Sequence, residues 1–343
     1  MYQQPVEPVR PEPEPRATNE RTEVPGWPFR ADEAGSRQAK LAQTHRTIKL
    51  GEGIELKLVH IPAGDFVMGD PHGESDERPA ASVTIDKPFW MSHCEITNEQ
   101  FARFDPSHDS RFEDKGSWMF NEWDLGWPLN QPRQPVVRVS WKEAVAFCHW
   151  LSKQTGERVA LPTEAQWEWA CRAGTDSDVS YGDLNTDFSE YANMADATIR
   201  EMAYDARDQC PPDIVPRDDR FDDGELVTTL VGSHRPNAWG LYDMHGNAWE
   251  WTRSTYAAYP YRADDGRNDM DAGSRKVIRG GSWYDRPVRC RSAFRLSYPA
   301  WQKVYNVGFR IIIEADESVQ FAAEKPQERI LNTNSQSQPA SKP

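Results

Sequence analysis

Residues 237–252 read NAWGLYDMHGNAWEWT, a stretch that mixes tryptophan with Asp, Asn, Gly and Glu and keeps neither a helical nor a strand period. It lies within residues 174–275, where regular signals are few and Asp, Asn, Gly and aromatic side chains are many. An irregular run of that length inside a compact domain needs something other than hydrogen-bond ladders to order it. A bound cation is one physical solution, because calcium takes oxygen ligands from carboxylates, Asn side chains and backbone carbonyls and so cross-links irregular chain. The alternative for this stretch is a tryptophan-rich core segment in which Glu250 forms a salt bridge.

Outward from this stretch the composition sets bounds. The chain of 343 residues is long enough for one large domain or two ordinary ones. Its 54 acidic residues exceed the 40 basic ones and give a formal charge of -14, which repels a nucleic-acid backbone. No run of apolar residues is long enough to span a membrane, and no secretory signal is evident, so the expectation is a soluble protein, cytoplasmic by default or a processed exported form. Five cysteines, 94, 148, 171, 210 and 290, show neither C-x-x-C nor zinc spacing and argue against a disulfide framework. Fourteen tryptophans suit a fold that relies on large aromatic plugs.

Residues 1–25 are rich in Pro and Glu and predict a disordered or polyproline-like arm. Residues 26–46 form a segment that docks on the body through a short helix, and 317–343 are a polar, disordered tail. Short strands recur in the body: LKLVHIP (56–62) and DFVMG (65–69) look like a hairpin, and PFWMSHCEIT (88–97) and VGFRIIIE (307–314) are further candidates. Three helices are announced by capping boxes, Thr97 with Gln100, Ser140 with Glu143, and Thr163 with Gln166. The second carries an apolar stripe at Trp141, Ala144, Val145, Cys148 and Leu151 and stops at Gly156. Cys148 and Cys171 read as small buried hydrophobes on helical faces, whereas Cys94 and its neighbour His93 point to opposite faces of a strand.

The stretches IPAGDFVMGD (61–70), MSHCEITNEQFARF (91–104), QPVVRVSWKEAVAFCHWLS (134–152), RVALPTEAQWEWACRAGT (158–175), NAWGLYDMHGNAWEWT, IRGGSW (278–283), RSAFR (291–295) and NVGFR (306–310) fall in order along the body. Together they resemble the formylglycine-generating enzyme or sulfatase-modifying factor family. The resemblance implies one α+β domain over 47–316, a variant of the C-type lectin fold with little regular secondary structure, short strands and about three helices. It also implies calcium. One set of ligands falls on Asp243, Gly246, Ala248 and Glu250, and a second on Asn193, the Met194 carbonyl, Asp223 and the Glu225 carbonyl.

Active members of that family look like copper enzymes in which two thiolates hold a cuprous ion, as soft donors should, and a substrate cysteine is oxidised with oxygen. Their pattern places the first cysteine three residues after a serine and the second five further on. Here Ser282 fits the serine, Asp285 stands at the first thiolate, and Cys290 falls at the second by an ungapped count. In a gapped alignment RCRSAFR belongs to a shorter segment and both thiolates are missing. Ser282, Asp285 and Cys290 are therefore the candidate catalytic residues, and copper is not expected. The family's iron branch requires an H-x3-H-x-E set, and no histidine here has that spacing. Two classes of function follow: a calcium-stabilised module that binds a peptide or small ligand without copper oxidase activity, or an oxygen-dependent oxidoreductase acting on a side chain of a protein substrate. The sequence does not name the oligomeric state.

Overall fold

The computed structural model describes residues 22–111, 128–199, 216–271 and 273–314. Nearly all of the Pro/Glu-rich arm, the whole polar tail and Cys210 lie outside them.

Three small antiparallel-dominated sheets carry the fold. In the first, β1 (His45–Gly51) and β2 (Ile54–Ile61) form a hairpin, and β2 continues through β5 (Phe89–Ser92) and β11 (Ile312–Glu314) to β6 (Val159–Ala160). The second has the order β10 (Val307–Gly308), β7 (Trp249–Thr255), β8 (Arg275–Arg279), β9 (Leu296–Pro299), with β10 parallel to β7. The third pairs β3 (Gly64–Met68) with β4 (Ala81–Ile85). The expected strands at 56–62 and 65–69 exist, but they are not hairpin partners. Trp169 explains why: its indole N–H donates to the Pro62 carbonyl at 2.8 Å, and its ring lies 3.0 Å from where a side chain on Gly64 would begin. The chain turns around that ring and enters a different sheet.

All three capping boxes close as their spacing predicts, opening α2 (Asn98–Phe101), α3 (Trp141–Thr155) and α4 (Glu164–Arg172). Left-handed Gly156 ends α3. Its buried stripe is Trp141, Ala144, Phe147, Cys148 and Leu151, so Phe147 replaces the expected Val145, which packs only partly buried at the margin. The docking segment contains α1 (Ala31–Gln38), whose Ala34 and Gln38 are buried. Gln38 donates to the carbonyls of both His60 and Trp239 at 3.1 Å, and Phe29 packs against Trp169 and Trp239. This segment is thus part of the aromatic core.

Among the described residues between α4 and β7, isolated bridges and side-chain bonds replace sheet ladders. Buried arginines supply the long-range ties: Arg295 pairs with Glu164, Arg279 with Glu168, Arg291 with Glu77 and Arg310 with Glu250. Such fully buried ions are held because each charge meets a partner and further hydrogen bonds. That is the physical content of the RSAFR and NVGFR stretches. The free cysteines 94, 148, 171 and 290 are all buried. β5 ends at Ser92, so His93 and Cys94 lie in a bend beyond the expected strand, where the Cys94 sulfur packs near Gly232 and the His93 ring meets Tyr242 edge-on. Among the described residues no helix is long and apolar enough to cross a membrane.

Candidate functional site

β8 delivers the chain into Gly280 and Gly281, both left-handed, with φ of 102° and 78°. A side chain on Gly281 would begin 2.2 Å from the Cys290 sulfur, so only glycine lets the backbone cross the thiol this closely. Beyond the turn, the Ser282 hydroxyl donates to Asp285 Oδ2 at 2.6 Å and accepts from Asn306 Nδ2 at 2.8 Å. Trp249 Nε1 donates to the same carboxylate oxygen at 2.7 Å, and Arg289 Nη1 donates to Oδ1 at 3.1 Å. Asp285 is therefore a buried carboxylate with three donors, two neutral and one cationic, and its charge is fully accommodated.

Ser282 and Asp285 meet side chain to side chain; Cys290 does not join them through its sulfur. Its thiol points at the Asp285 carbonyl at 3.7 Å, behind the turn, in a cluster with Phe188, Ala192 and Met194. Burial pushes the thiol well above the usual cysteine range, and the Asp285 charge adds to this. The segment thus offers one sealed thiol and one satisfied carboxylate, a donor set that does not fit a cuprous ion held by two thiolates.

Behind it lies a second polar group, centred on His245. His245 Nε2 accepts the Ser180 backbone N–H at 3.0 Å, so Nδ1 carries the proton and donates to the Cys290 carbonyl at 2.7 Å. Burial lowers the imidazole pKa to about 4, and it stays neutral. Cys171 approaches Nε2 at 3.5 Å, but burial raises its pKa to about 12, so the pair is thiol and imidazole and not an ion pair.

The two candidate calcium sets lie on touching loops, since a side chain on left-handed Gly246 would begin 2.1 Å from the Asn193 carbonyl. In the first set Asp243 Oδ2 accepts the Gly232 N–H at 2.7 Å, while the buried Oδ1 has no hydrogen bond and lies 3.7 Å from His234 Nδ1. Ala248 is buried beside Leu129 and Trp283. Glu250 is differently placed: Arg310 holds both of its oxygens at 2.7 Å and Trp167 Nε1 adds a bond of 2.7 Å, the salt bridge foreseen as the alternative. Glu95, absent from sequence reasoning, accepts from Asn247 at 2.9 Å and leaves its other buried oxygen unpartnered. Burial, and then the Asp243 charge, raise its pKa well above the carboxylate range.

In the second set Asn193 donates to the Val227 carbonyl at 2.7 Å, and its buried Oδ1 is unpartnered. Asp223 accepts the Met194 and Glu225 backbone N–H groups, each at 2.9 Å. Burial and the neighbouring Asp196 raise the Asp223 pKa to about 7. Among the described residues no three His, Cys, Asp or Glu side chains converge as a ready metal cluster. The unpartnered oxygens of Asn193 and Asp243 are nonetheless the hard donor chemistry that calcium accepts, whereas the charge of Glu250 is already matched by Arg310.

Trp249, Arg289, Asn306, Glu95 and Arg310 complete these sites, and only one carried a local signal: Asp285 and Arg289 stand four residues apart with opposite charge. Residues 52–315 match the sulfatase-modifying factor enzyme 1-like domain. The chain is 30% identical over 311 residues to the formylglycine-generating enzyme of Streptomyces coelicolor, covering 78% of this chain and 92% of that one. It is also 30% identical over 308 residues to the inactive C-alpha-formylglycine-generating enzyme 2 of Bos taurus, covering 77% and 90%. Among solved structures, PvdO from Pseudomonas aeruginosa superposes with a TM-score of 0.60 at 27% identity, over 80% of this chain and all of that one. With every element from β2 to β11 and the site segment inside the matched region, the chain belongs to the sulfatase-modifying factor enzyme 1-like domain family.

Proposed function

We propose that this protein is a calcium-stabilised member of the family that binds a peptide or small ligand and carries out no copper oxidase chemistry. The observation that supports this reading is the bonding of Asp285: where the family resemblance calls for the first thiolate, a buried carboxylate is locked to Ser282, Trp249 and Arg289. A cuprous site needs two soft anionic donors, and Cys290, the cysteine of this segment, is a buried neutral thiol. Calcium, where bound, supplies positive charge and cross-linking to irregular chain. Asn193 and Asp223 are the side chains that would hold it in one set and Asp243 in the other, with carbonyls of the two loops completing each shell.

The family also contains formylglycine-generating enzymes at 30% identity, which favours an oxidoreductase acting on a protein side chain as the second reading. One experiment separates them. The protein is loaded with Cu(I), and bound copper is measured together with aldehyde formation on a Cys-x-Pro-x-Arg peptide. The expected result is neither stoichiometric copper nor aldehyde; obtaining both would replace the first reading with the second.

A further inference from the structure

We propose that Arg289 is the anion-recognition residue of this surface and that the ligand it selects is a peptide with an internal acidic side chain. This rests on the peptide-binding reading above and names the class of peptide.

The guanidinium is half exposed, with 46% of its side chain accessible, although one of its nitrogens is anchored to Asp285. That bond uses Nη1 alone. The Nε and Nη2 edge makes no hydrogen bond among the described residues, and this is the edge that forms forked pairs with a carboxylate. Asp285 does not cancel the arginine toward solvent, because it is only 4% exposed on its side-chain surface and also receives Ser282 and Trp249. The surroundings match an acidic peptide in charge. Arg286 and Val288 are exposed on the same turn, and Arg286 makes no ion pair among the described residues. In a chain of net charge -14 a turn with two exposed arginines and no exposed carboxylate selects against basic ligands and for acidic ones.

The test uses acetylated, amidated peptides built from Gly, Ser, Pro and Tyr with Glu, Gln or Lys at the centre, so that no terminal carboxylate contributes. Binding to the full chain is read by fluorescence polarisation. The Glu peptides should bind about tenfold more tightly than their Gln counterparts, and Arg289→Gln should erase that ratio when binding is read well below the variant's own melting transition, which the loss of the Asp285 partner lowers. Equal binding of Glu and Gln peptides would overturn the acidic selection and leave peptide binding standing. A Glu preference that survives in Arg289→Gln would overturn the assignment to Arg289. Failure of all peptides to bind the wild-type chain would remove both this inference and the reading beneath it.

Discussion

Gly281 is the residue on which the site segment turns, because its missing side chain makes room for the Cys290 sulfur and its φ of 78° disfavours any other residue. Gly281→Ala should destabilise the protein by about 2–4 kcal/mol, combining overpacking with left-handed strain. Cys290→Ala in the same chain should return part of this by removing the sulfur. Urea denaturation of the two single variants and the double variant measures the coupling, and strictly additive losses would show that the sulfur is not what the new methyl meets. A second residue-scale prediction concerns His93, whose pKa burial lowers to about 4, with Lys57 and Arg310 adding to the effect. Because the folded value lies below the unfolded one near 6.5, its contribution is complete above pH 6.5 and is lost as pH falls toward 4. The wild type should therefore lose stability over that window more steeply than His93→Gln, the difference in slope approaching about 1.4 kcal/mol per pH unit for one unbalanced proton. Parallel stability curves would sink the argument.

Helix α3 shows what the sequence makes legible at the scale of an element. Ser140 accepts the Glu143 N–H while Glu143 accepts the Ser140 N–H, a reciprocal pair set entirely by residues three apart. Ser140→Ala should cost about 1 kcal/mol in equilibrium denaturation, and an unchanged midpoint would mean that the cap is made elsewhere. Capping of α2 and α4 was readable for the same reason: the bonds are local. The pairing of β2 and β3 was not, since the partner of each strand is chosen by Trp169 about a hundred residues away in the chain. The same contrast holds at the site. Ser282 and Asp285 could be placed from the Gly-Gly turn, whereas Trp249 and Asn306 reach Asp285 and Ser282 from other elements of the second sheet and its edge. Glu250 was named from its motif, but its commitment to Arg310 depends on β10 lying beside β7.

At the scale of the molecule, the region between α4 and β7 is held to the sheets by a few buried amides and carboxylates, and several of their oxygens are left without a partner. Asn193 Oδ1, Asp243 Oδ1 and one oxygen of Glu95 are all buried without a hydrogen bond, although Asp243 Oδ1 lies 3.7 Å from His234 Nδ1. Each such group costs about 1–3 kcal/mol if nothing compensates it, so a cation that satisfies more than one would couple the two loops and raise the stability of the whole fold. Calcium at about 100 times its Kd should add about 2.7 kcal/mol to unfolding, and a chelator should lower the melting temperature correspondingly. Magnesium should substitute poorly, since it demands a tighter octahedral shell than carbonyl-rich loops provide. Asn193→Ala lowers the baseline by losing its bond to the Val227 carbonyl, so the informative quantity is the calcium-dependent shift within that variant, which should fall to the share of the Asp243 set. Metal analysis of the purified chain with calorimetry in calcium and in chelator supplies both measurements. Absence of bound calcium together with identical melting curves would mean that the unpartnered oxygens are met by water and that the irregular region is ordered by its aromatic and ionic contacts alone.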